Sequence, residues 1–302
     1  MKKAIEPWGV NVPYLALGLA YWALGGATIS LGLHPYFMMV GSYAVFFGMI
    51  SRLFFPARKY ILGHVITLAL LSVPLYPFQA LASASLGVTE LWGFKDTKSY
   101  GTKFPVNVLV LSSPFASFVA WLLFPTNYEV LLFPLTLYLL GVNVGVFSAT
   151  MGFKPKFGAK QVSLLLLSVL VVKYPVVPVL GYVAWLLYDS RPRANATAMA
   201  TLSASISTTS ASLFLGQGLH AFVLGVMMPY FFNCITYSTS RYNYQKAFPI
   251  PLLLATSYFT RFLNLELSSA FTAFAVLYFV YLVKDNFTWR TIKLGISAKY
   301  LS

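Results

Sequence analysis

Only three residues in this chain offer an imidazole, His34, His64 and His220, and all three fall in or at the ends of long apolar runs. An ionisable side chain within a membrane span is a functional hypothesis by default. His34 heads one run and His220 lies near the head of another, and both runs cross in the same direction, so the two rings are expected at one depth near the outer leaflet. Two histidines so placed can ligate a haem iron from opposite faces. The plainer alternative leaves each at the interface, hydrogen-bonded to a carbonyl or to water. His64 follows Arg58 and Lys59 and is expected near the opposite surface, as an interfacial histidine or as a contact for a second haem or a quinone. Lys173 interrupts another run beside Pro175 and Pro178, whose rings free carbonyls in the preceding turn. Its ammonium either snorkels or neutralises an anionic ligand. Arg261 sits near the end of a further run, where a guanidinium matches the fork of a haem propionate, pairs with Glu266, or anchors at the interface. The expected cofactor-binding set is therefore His34, His220, Arg261, His64 and Lys173, with His34 and His220 as metal ligands to haem b.

Other chemistries lack their residues. The single Cys234 allows no intrachain disulfide and no cysteine cluster for a metal. There is no Gly-rich phosphate loop, no HExxH helix and no Ser/His/Asp arrangement. Three histidines are too few for a haem–copper centre. A proton-driven carrier is expected to hold a carboxylate deep in a helix. Glu129, Asp189 and Glu266 all lie at the ends of runs, which lowers the carrier reading.

The elements that position these residues are membrane helices. The 302 residues are 58% hydrophobic and only 9% charged, against about 25% charged in soluble domains. Runs of about 20 apolar residues match a bilayer core of ~30 Å, and lipid requires that they be helices. Ten runs are expected: 12–31, 35–55, 60–81, 106–124, 128–149, 162–188, 195–215, 217–237, 248–265 and 267–283. The polar stretch 82–105 between the third and fourth reads as an extracytoplasmic loop. The whole, 1–302, reads as one all-α transmembrane bundle, multi-pass in the plasma membrane.

The net charge of +14 sits in short loops between runs, as positive residues do when they set orientation, and not in a run suited to nucleic acid. With ten crossings and both termini cytoplasmic, the outside holds Lys95, Lys98, Lys103, Lys154, Lys156 and Lys160, and thirteen Lys and Arg lie inside. A re-entrant sixth run reverses that bias, so a crossing sixth run is expected. Gly32-Leu33-His34 recurs as Gly218-Leu219-His220, each followed by a Met-Met pair; three residues are too few to establish a repeat.

Two family resemblances follow from these residues. The stretches His34-Pro35-Tyr36-Phe37-Met38-Met39-Val40-Gly41 and His220-Ala221-Phe222-Val223-Leu224-Gly225 resemble the histidine-headed helices of NnrS-like haem proteins, although the His-x-His-Glu signature of that family is missing here. In size, hydropathy and basic character the whole chain is similar to the hydrophobic membrane component of archaeal cytochrome b558/566. That resemblance implies an extracytoplasmic cytochrome partner, docked on 82–105. The expectation is a membrane subunit of a respiratory oxidoreductase complex, passing electrons between quinol and that cytochrome. The competing expectations are a permease for a small anionic solute, with Lys173 at the substrate, and a cofactor-free anchor.

Overall fold

The computed structural model describes residues 6–95, 107–188 and 190–301. They form an all-helical protein with no strand among the described residues. Twelve helices carry the architecture of these residues: α1 (Asn11–Ala27), α2 (His34–Phe54), α3 (Ile61–Leu71), α4 (Tyr76–Lys95), α5 (Val108–Leu123), α6 (Leu132–Met151), α7 (Val162–Leu170), α8 (Val176–Leu187), α9 (Ala196–Leu215), α10 (Gly218–Thr239), α11 (Pro249–Thr260) and α12 (Leu265–Val283). A six-residue helix, α13 (Trp289–Leu294), follows. Five described helices are both long and apolar enough to cross a membrane. The chain divides into two compact units, 1–135 with 286–302, and 136–285.

In the first unit, α1 and α2 run antiparallel at close range. Gly18 and Gly41 leave room for Val45 and for the Trp22 indole, the small-residue contact that lets helices pack where lipid supplies no hydrophobic drive. Tyr14 and Tyr21 donate to the carbonyls of His64 and Leu71 at 2.6 and 3.1 Å, which sets α3 parallel to α1. The chain then turns at Ser72-Val73-Pro74-Leu75 and returns as α4. Three contacts mark this antiparallel hairpin: Tyr60 against Trp92 at 5.0 Å between ring centroids, Gly63 against Thr89, and Thr67 Oγ1 donating to Ser85 Oγ at 2.9 Å. α5 packs antiparallel on α4 through Ser83 and Ser117, 2.8 Å apart.

The α3–α4 hairpin corrects two expectations. Residues 60–81 are not one crossing, because Pro74 ends the short α3. Residues 82–95 are not an extracytoplasmic loop but the greater part of α4; the remainder, 96–105, lies outside the described residues. Gly93 sits against Phe55, so α4 ends at the level where α3 begins.

In the second unit α7 and α8 are nine and twelve residues long, ~14 and ~18 Å at 1.5 Å per residue. Both fall short of the hydrocarbon core. Gly181 packs on Leu167, and Lys156 donates to the carbonyls of Trp185 and Tyr188, so the sixth run is a folded-back pair and not a single crossing. The charge count that relied on that crossing no longer selects an orientation. α9 places Thr208 against Gly225 of α10, where the helix widens to a π turn over Val223–Met227. Ser257 of α11 bonds Ser268 and Thr272 of α12 at 3.0 and 2.7 Å.

Element order repeats along the chain. The series α1–α2–α3–α4, of 17, 21, 11 and 20 residues, recurs as α9–α10–α11–α12, of 20, 22, 12 and 19. In each copy a basic 3₁₀ segment, Arg58–Tyr60 or Arg241–Ala247, precedes the short third helix. The Gly-Leu-His echo falls at the start of the second helix in both.

Candidate functional site

The most unusual chemistry lies in the α3–α4 hairpin. Glu90 is fully buried, at 0% exposure, and His64 is 1% exposed. Neither carboxylate oxygen of Glu90 and neither ring nitrogen of His64 has a hydrogen-bond partner among the described residues. Each is the immediate neighbour of one member of the Gly63–Thr89 contact, so both lie within a turn of one level in the hairpin. Isolated buried polar groups cost several kcal/mol in an apolar setting, and lipid-embedded structure normally satisfies them. Ser83, Thr201 and Thr208 show the usual solution, returning their hydroxyls to carbonyls four residues back.

Further unpartnered groups gather at this level. The Trp8 ring lies 5.6 Å from that of His64, and its indole N–H is unbonded among the described residues. The Ser51 hydroxyl is likewise buried and unbonded. Ser51 is one turn before Phe55, and Glu90 is one turn before the Gly93 that Phe55 touches. Because α2 and α4 run parallel, Ser51 stands at the Glu90 level. Tyr60 closes the site from the loop side, 6.3 Å from His64.

The residues around this site are fixed by their own bonds. Trp8 N donates to Pro56 O at 3.2 Å and Gly9 N to Ile292 O at 2.8 Å, so segment 6–10 is stitched over the end of the hairpin. Arg58 pairs with Glu6 at 3.9 Å and donates to Lys293 O at 2.7 Å. Arg52 is directed to Asn11 and to Gly295 O. Among the described residues neither arginine forms an ion pair with Glu90.

The residues singled out from sequence are divided between the two units, His34 and His64 in the first and Lys173, His220 and Arg261 in the second. His34 is half-buried at the start of α2, its Nδ1 donating to Gly25 O at 3.0 Å. His220 is half-buried near the start of α10, in the other unit. His64 is buried, with the Trp8 ring against it. Lys173 is exposed in the turn between α7 and α8, so it is not a buried charge within a crossing. Arg261 is half-exposed at the end of α11 and, among the described residues, forms no ion pair with Glu266. No group of three or more His, Cys, Asp or Glu is placed to hold a metal ion among the described residues. Glu90 is the residue that sequence reasoning misses, because its run reads as a solvated loop. A signal is present in the spacing of Gln79, Ser83 and Glu90 at intervals of four and seven, one face of a helix.

No family model, curated protein or solved structure matches the chain.

A second polar cluster lies inside the other unit and is fully bonded. Asn233 donates to Asn143 at 2.9 Å and accepts from Tyr244 at 2.7 Å, while Asn143 donates to the carbonyls of Leu139 and Tyr230. Satisfied in this way, it holds α6 and α10 together.

Proposed function

We propose that this chain is a multi-pass carrier for a small solute in the cell membrane, with twelve membrane segments and both termini cytoplasmic. Counting helices along the chain supports that topology. The two folded-back pairs add one segment each to the ten runs. By position in the chain, every Lys and Arg except Lys173 and Arg261 then falls at the cytoplasmic end of a segment. This is a far stronger positive-inside bias than ten crossings allow.

The observation that carries the carrier reading is the pair of short third helices, α3 and α11, at corresponding positions of two repeats. Unusually short segments in matched positions mark the binding region of repeat-built transporters. One of these segments packs on α4 beside Thr89, next to the buried carboxyl of Glu90, and a buried carboxylate within a helix is what a carrier was expected to hold. The exposed Lys173 removes the reason for an anionic substrate. To test the reading, the purified protein is reconstituted in liposomes preloaded with amino acids, sugars or organic acids, and counterflow of the labelled solute is followed. One solute class accumulates if the reading holds; none does, in folded protein, if it is wrong.

The electron-transfer reading rests on His34. Its Nδ1 bond to Gly25 O fixes the tautomer and leaves Nε2 available, the orientation that second-shell partners give metal-bound histidines. His220 heads the equivalent helix of the second copy. A reduced-minus-oxidised spectrum decides: a Soret band lost in His34→Ala and His220→Ala supports haem b, and a colourless protein eliminates it.

A further inference from the structure

We propose that Glu90 is a proton-exchange site, with His64 as its neighbouring acceptor and the Trp8 segment as its cover. This inference rests on the carrier reading and deepens it by naming the coupling ion.

Three observations combine. First, a buried carboxyl with no partner is not stable as a bare anion, so it holds either a proton or a cation. Second, the groups at its level do not form a metal cage. The unpartnered ones are one serine hydroxyl, one imidazole and one indole N–H, and only the first two have lone pairs to offer. A sodium or calcium site is built from several oxygens, carboxylates prominent among them, and among the described residues no group of three or more His, Cys, Asp or Glu is placed to hold a metal ion. Third, no positive charge among the described residues competes for the carboxyl. α5 has no charged residue, Arg52 and Arg58 are bonded elsewhere, and Lys59 lies over the Tyr60 ring at 5.0 Å. From α1, the Tyr14 hydroxyl is directed to the His64 carbonyl.

The step is a simple proton transfer. The O–H bond of the Glu90 acid breaks, its electron pair stays on the carboxylate, and the proton forms a new N–H bond at His64 or passes to a water. The reverse step reloads the acid. Exchange with the cytoplasmic side requires segment 6–10 to lift, which breaks the Trp8 N–Pro56 O, Gly9 N–Ile292 O and Arg58 N–Glu6 O bonds together with the exposed Arg58–Glu6 pair. Glu90 and His64 have no counterpart in the second copy, where the α11–α12 hairpin is closed by Ser257, Ser268 and Thr272. The exchange site therefore belongs to one repeat only.

The test uses the full-length protein in detergent and dicyclohexylcarbodiimide, an apolar reagent that attacks protonated carboxyls. Peptide mass spectrometry is expected to find the adduct on Glu90, with labelling falling as pH rises and unchanged by sodium or potassium. In Glu90→Gln the adduct disappears. Tryptophan emission supplies an independent readout. Protonation of His64 quenches Trp8, so a pH-dependent part of the emission is expected that is absent in both Trp8→Phe and His64→Ala. If Glu90 stays unlabelled while Glu129 and Glu266 react, or if sodium protects it, the proton proposal is overturned. These readouts need no solute. Labelled Glu90 without counterflow overturns the carrier and keeps the proton site; counterflow with unreactive Glu90 does the opposite.

Discussion

A residue kept for exchange and not for packing leaves a mark on stability, and Glu90→Leu exposes it. Glu90 has 0% exposure and two oxygens unbonded among the described residues. Leaving a buried polar group unsatisfied costs about 1–3 kcal/mol, and an apolar side chain of similar volume removes that cost. Glu90→Leu is therefore expected to stabilise the first unit by ~1–3 kcal/mol. At roughly 2–4 °C per kcal/mol for a unit of this size, its melting temperature rises by roughly 2–12 °C, and Glu90→Gln changes it little. The chain carries its own reporters. Trp8, Trp22, Trp92, Trp121 and Trp289 belong to the first unit, and only Trp185 to the second. Intrinsic tryptophan emission on heating thus follows the unit that holds Glu90. The lone, buried Cys234 lets a thiol-reactive dye follow the other. A gain in the tryptophan transition with no change in the dye transition is the expected pattern. A fall of several degrees in Glu90→Leu refutes the reasoning, because it means the carboxyl holds a structural bond.

Other substitutions test the packing and the topology. Gly225→Ala forces a methyl into the Thr208 side chain, and overpacking of this kind costs about 1–3 kcal/mol, so the dye transition drops while the tryptophan transition holds. Asn233→Ala takes the acceptor from the Tyr244 hydroxyl and the donor from Asn143 Oδ1 in the core, a loss of about 1–3 kcal/mol read by the same dye. Arg52→Met removes the bond to Gly295 O, and proteolysis is expected to release the tail beyond Asn286 faster than in the wild type. Single cysteines at Lys154 and at Lys173, in a Cys234→Ala background, label from opposite sides of sealed vesicles. Labelling of both from one side contradicts the twelve-segment topology.

Long apolar helices such as α2, α6, α9 and α10 are legible because length and hydropathy alone identify them. The hairpins are not. Ser72-Val73-Pro74-Leu75 and Val171–Pro175 contain few polar groups, so hydropathy does not dip where the chain reverses, and two short helices look like a single run. α4 fails in the other direction. Its Ala, Ser, Gly and Thr residues lower the mean hydropathy below that of a crossing, although the same composition in α9 suits close packing. Glu90 is lost with it, grouped with Lys95 and Asp96 by proximity in sequence when its helix face separates it from them. The short distance from Arg58 to His64 suggests an interface, and nothing in local sequence shows that residues 6–10 fold over the ring.

The central claim is a carrier whose buried carboxyl exchanges protons, and charge movement measures it most directly. Proteoliposomes on a solid-supported membrane are challenged with amino acids, sugars and organic acids, with wild type and Glu90→Gln compared after their tryptophan melts confirm folding. A transient current is expected for one solute class in the wild type, reversed in sign by an opposing pH gradient and absent in Glu90→Gln. A wild type that is silent to every class, or a Glu90→Gln current equal to wild type, contradicts it.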